Sequence, residues 1–135
     1  MTTTWARTCT MMLALALSSA FAVSAQAERW PGTAASIGGA IAARIIAVKC
    51  NRPMQPTTLT QDEISELDRY IDEQQTAFMT GSKANQRFSE SVFPILARDY
   101  NRLYSSADAC TDASRDMAKD MLQRVRTQRQ ASLHQ

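Results

Sequence analysis

The sequence predicts an all-α fold: a compact small domain of about four helices held by one disulfide. Three observations carry the expectation. Behind an N-terminal export segment the apolar residues recur every three to four positions. No run alternates with period two, and β-branched residues are thinly spread. Two cysteines, Cys50 and Cys110, remain once that segment is removed, and an even pair in a small exported domain bridges.

The export segment is residues 1–27. A polar start with one basic group, Arg7, leads into Met11-Met12-Leu13-Ala14-Leu15-Ala16-Leu17 and on to Phe21, Ala22 and Val23. Ala25-Gln26-Ala27 supplies the small residues that a signal peptidase reads, so cleavage is expected after Ala27. The apolar stretch is shorter than the roughly 20 residues of a spanning helix, so stable membrane insertion is not expected. Cys9 and Cys50 both lack the small apolar residues that precede a lipidated cysteine. Cleavage leaves 108 of the 135 residues, a periplasmic or secreted chain of one domain. Its 14 basic and 13 acidic residues nearly cancel, which gives no electrostatic reason to bind nucleic acid. The expected division is signal peptide 1–27, helical domain 28–126 and a disordered polar tail 127–135.

The first helix is expected over Thr33 to Lys49, after Trp30-Pro31-Gly32. Ala35, Gly39, Ala43 and Ala47 form a ridge of small residues beside Ile37, Ile41 and Ile45, which lets another helix approach closely. These seven residues are the candidate interaction face, with burial in the core as the competing expectation. Asn51 to Pro56 breaks the helix, because its two prolines lack donors. Thr60-Gln61-Asp62-Glu63 then reads as a capping box, with Leu59 and Ile64 placed as a hydrophobic staple.

The second helix should run to about Thr80, with Ile64, Leu67, Ile71 and Phe78 inward and Gly81 as its stop. A polar link over 81–85 precedes a third helix whose expected face is Phe88, Val92, Ile95, Leu96, Tyr100 and Leu103. Pro94 predicts either a kink there or a fresh start. The fourth helix begins near Cys110, capped by Thr111 or Asp112, with Ala113, Met117, Met121 and Val125 at i+4 spacing; Met117 and Met121 fit an adaptable surface or a core alike. The disulfide therefore ties the end of the first helix to the start of the fourth. In the chain-entropy model, closing a loop of this size contributes about 4 kcal/mol.

Histidine-relay hydrolysis has no base, since His134 is the only histidine and stands next to the last residue. Zinc, haem, phosphate-loop and EF-hand patterns are absent from the sequence, so no cofactor is expected. Carboxylates are the remaining reactive groups. Asp62 with Glu66, and Asp68 with Asp72, stand one turn apart and could share a hard cation. Glu90, near Phe88 and Val92, is the one acid with apolar company, as a carboxylate hydrolase requires. Arg98 and Arg102, also one turn apart, could clamp an anion. The aromatic residues, including Tyr70, Phe93 and Tyr104, fit a core better than a ligand cage.

Signal peptide, about a hundred mature residues, helices, one long-range disulfide and Ala109-Cys110-Thr111 opening the last helix together resemble periplasmic acid-stress chaperones of the HdeA type. The proline-rich link and the longer second helix depart from that pattern, and no site residue is carried over. The resemblance implies a helical protein that acts on other proteins. The expected function is accordingly non-enzymatic protein interaction in the cell envelope, chaperone-like or as an accessory subunit, with another envelope protein or a second copy as partner. The alternative is an ion binder or small hydrolase using the acidic second helix.

Overall fold

The computed structural model describes residues 32–135. The export segment, its cleavage site and Trp30 lie outside the described residues. Four α-helices follow one another: α1 (Gly32–Cys50), α2 (Gln61–Gly81), α3 (Lys83–Leu103) and α4 (Asp112–Leu133), with a 3-10 turn at Ala107–Ala109 before α4. The described residues contain no β-strand. The fold is the expected all-α domain.

Helix α1 is apolar on nearly every side, and nearly every side is covered. Ala34, Ile37, Ala40, Ala42, Ala43, Ile45, Ile46, Ala47 and Cys50 are all buried. Such a helix has no solvated face and has to sit in the middle of its neighbours. It is also long and apolar enough, by length and composition, to cross a membrane, although just over half of that stretch is buried inside the fold. The two glycines mark where the neighbours approach. A Cβ at Gly39 would stand 2.9 Å from Met121 Sδ of α4, and one at Gly38 would stand 3.5 Å from Leu96 Cδ1 of α3. Close packing on the small ridge thus applies at Gly39, whereas Gly38 has room for a methyl group.

A disulfide joins Cys50 to Cys110, with their Cα atoms 5.5 Å apart and 60 residues of sequence between them. Both cysteines belong to the main core with Leu59, Leu67, Tyr70, Leu122 and Val125. A smaller apolar cluster gathers Ala34, Ile37, Phe78 and Phe93, with Phe88 alongside. The three phenylalanine rings meet in edge and tilted contacts with centroids 5.6–6.3 Å apart, the arrangement that aromatic quadrupoles favour.

The connection 51–60 is irregular yet well tied. Asn51 Nδ2 donates to the Leu59 carbonyl at 3.1 Å, and Asn51 Oδ1 accepts from the Thr58 N–H at 3.0 Å. Arg52 Nη2 donates to the Ser105 carbonyl at 3.0 Å, linking this loop to the end of α3. Pro53-Met54 make a turn closed by the Gln55 N–H on the Arg52 carbonyl, with Met54 at φ 69° and fully exposed. The capping box is present as expected. Glu63 N–H donates to Thr60 Oγ1 and Thr60 N–H to Glu63 Oε1, while Leu59 and Ile64 are both buried as a staple.

Several local expectations are corrected or resolved. The polar link over 81–85 shrinks to Ser82 alone, because its hydroxyl accepts from the Asn85 N–H and starts α3 at Lys83. Helix α3 passes through Pro94 without restarting. Its inward side carries Ser89 and Phe93, while Ile95 and Leu103 are about half exposed. In α4, capped by Thr111, the inward side is Arg115, Ala118, Leu122 and Val125, and Met117 points outward. Finally, α4 continues to Leu133 where a disordered tail from 127 was expected, since Tyr70 and Glu73 of α2 hold its later turns through Gln128 and Arg129.

Two measurements check these packing statements. Reduction, or the Cys50→Ala/Cys110→Ala pair, should lower the unfolding free energy by about 4 kcal/mol, read from urea melts with and without reductant. Gly38→Ala should raise stability by about 0.5–1 kcal/mol, as the helix gains propensity without a clash. Gly39→Ala should gain less in the same melts, because Met121 has to move.

Candidate functional site

The described residues form an open groove of about 530 Å³ lined by α1, α2 and α3. That volume falls within the roughly 300–1,000 Å³ typical of ligand pockets. Helical periodicity brings its lining together. Ile41 and Arg44 are one turn apart on α1; Asp68, Ile71, Asp72 and Gln75 follow i, i+3, i+4 and i+7 on α2; Phe93, Pro94 and Ala97 share a turn of α3. Ile41, Ile71 and Phe93 form the apolar floor, and the polar groups stand at the rim. Arg44 Nε donates to Asp68 Oδ1 across that rim, with both side chains over two-fifths exposed. Gln75 Nε2 donates to Ser89 Oγ at 2.9 Å, and Ser89 is buried, so this bond joins α2 to α3 beneath the groove.

Of the seven residues expected to form an interaction face, Ile41 lines this groove. Ile37, Ala43, Ile45 and Ala47 are buried and packed within the chain, Gly39 lies against Met121, and Ala35 is exposed. The ridge thus serves mostly as internal contact, and the groove was not legible as a unit. Its signal lay in three separate helices, none of them unusual alone.

Of the four carboxylates expected to pair with each other, Glu66 and Asp68 each meet an arginine instead. Glu66 accepts a two-pronged hydrogen bond from Arg126, with Nε 2.9 Å from Oε2 and Nη2 2.7 Å from Oε1. Arg126 also stands 3.6 Å from Glu63, and Arg129 lies 3.1 Å from Glu73. These arginines of α4 lie about 60 positions from their acids, so the acidic side of α2 faces a basic side of α4. With Glu66 and Asp68 so engaged, neither proposed acid pair presents two unengaged carboxylates. Glu90 is exposed and accepts from Gln86 Nε2 at 3.1 Å; the apolar surroundings expected for it are not there. Arg98 contacts its neighbour Asp99 at 3.3 Å in an exposed position, and His134 is exposed at the end of α4.

Hydrogen bonding from Arg126 lowers the Glu66 pKa below its ordinary value, against the opposing effect of partial burial, and raises that of Arg126. Burial pushes the Tyr70 phenol up, opposed by hydrogen bonds with Ser36 and Gln128. Tyr70 is almost fully enclosed, and its hydroxyl donates to Gln128 Oε1 at 2.7 Å. Arg115 is also buried. Its Nη2 donates to Gln55 Oε1 at 2.7 Å and its Nη1 to Asp112 at 3.3 Å, while Nε has no partner. That side chain fastens the proline-rich loop to α4.

Comparison with protein-family models, curated proteins and solved structures finds no match for this chain.

The depressed Glu66 pKa has a pH consequence. A carboxylate more acidic when folded stabilises fully above its unfolded pKa and loses that contribution as pH falls through the folded one. Stability from this pair should hold above about pH 5.5 and decline below the ordinary value of 4.5. Carbon-13 titration of the Glu66 carboxyl should give a midpoint below 4.5, returning toward it in Arg126→Gln.

Proposed function

We propose that the protein acts outside the cytoplasm as a non-enzymatic interaction protein, with the groove over α1 as its contact surface. The observation that carries this proposal is the groove itself: an open depression lined by apolar side chains of three helices, with polar groups at its rim. Its open form suits a side chain or short segment of another protein better than a fully enclosed small molecule. The disulfide suits an oxidising compartment, and the apolar stretch within residues 1–27 suits export. A partner protein of the envelope fits this surface, with a chaperone-like or accessory role.

Carboxylate chemistry has less support. Glu90 is exposed beside Gln86, and Glu66, Asp68 and Glu73 each accept from an arginine. Those acids are occupied in holding helices together.

Placing a photo-crosslinking amino acid at Ala97, on the groove, tests the proposal in the source cells. Irradiation should give a discrete higher-mass adduct in the envelope fraction, and the same residue at Gln130 on α4 should give none. Uncrosslinked chain alone from Ala97 would overturn the assignment of this surface.

A further inference from the structure

The charges at the rim of the groove do not balance. Its single cation, Arg44, is already engaged with Asp68. Asp72 stands exposed on the same side of α2 and lines the groove, with no ion pair or hydrogen bond among the described residues. Gln75 gives one amide N–H to Ser89, which leaves its other N–H and its carbonyl oxygen for a ligand. The rim thus carries one net negative charge from Asp68, Asp72 and Arg44, with Asp72 unpaired beside the apolar lining.

We infer that the groove receives a cationic, apolar segment of another protein. An apolar side chain lies on Ile41, Ile71 and Phe93, and a lysine or arginine close to it in sequence reaches Asp72. The charge match selects the partner, because a segment carrying acids at the same spacing would meet Asp72 and Asp68 with like charge. The apolar contact supplies the area, and the exposed ion pair adds modest affinity that salt weakens. This inference rests on the groove being the contact surface and adds the chemistry of what it contacts.

Three synthetic peptides of equal length test it on the purified protein by fluorescence anisotropy: one of leucine and lysine, one of leucine and glutamate, and one of serine and lysine. The leucine–lysine peptide should bind best and weaken with added salt. Asp72→Asn should reduce its affinity about two- to fivefold, the range of an exposed ion pair. Ala97→Trp, which fills the groove, should abolish binding, while Leu103→Ser should leave it unchanged; circular dichroism checks that each variant keeps its helices. Equal binding of the leucine–glutamate peptide, still lost in Ala97→Trp, would overturn the charge match and leave the groove as a contact surface. Binding that survives Ala97→Trp, or no binding by any peptide, would overturn the inference and count against the groove as well.

Discussion

Helix α1 has two charged residues, Arg44 and Lys49, in nineteen positions, and the other three helices are arranged to keep the rest of it from water. Burying a helix on nearly all sides demands close neighbours, and small residues permit them: Met121 reaches Gly39 and Leu96 reaches Gly38. The one charged group in the middle of α1, Arg44, emerges where α2 and α3 separate, and it finds Asp68 there. The groove is a consequence of this arrangement. Arg44 and Asp68 line it together with Ile41, Ile71 and Phe93.

Covering α1 also explains how the outer helices are fastened. The disulfide fixes the end of α1 to the start of α4, and Arg52 and Arg115 bind the intervening loop to the end of α3 and to α4. From there the acidic side of α2 and the basic side of α4 engage through Glu66–Arg126 and Glu73–Arg129. Exposed ion pairs contribute little each, about 0–1 kcal/mol, so their main effect is to set which sides of the two helices meet. The two-pronged Arg126 contact is the most directional of them. It draws α2 acids toward α4 and leaves Asp72, on the α3 side, without a partner at the groove.

Where apolar periodicity misled, a polar residue had taken an inward position. Arg115 occupies the inward side of α4, where Gln55 and Asp112 each accept from its guanidinium. Met117 lies outside on the same helix. Ser89 lies buried in α3 because Gln75 reaches it, and Ile95 and Leu103 are displaced to the surface. Such substitutions of hydrogen bond for hydrophobe are invisible to a search for spaced apolar residues, which assigns a serine or arginine outward by default.

The sequence alone determined the helical class, the capped start of α2, the break at residues 51–60 and the cysteine pair. Those features rest on short-range chemistry: proline without a donor, a threonine hydroxyl three residues from a glutamate, apolar spacing near 3.6, and an even cysteine count. Tertiary structure alone decided which side of α3 and α4 turns inward, which acids are neutralised and where the groove opens. Each of these depends on partners brought together from different helices, as with Glu66 and Arg126, 60 positions apart. No local pattern in the chain encodes that meeting; it follows from the way three helices close around α1.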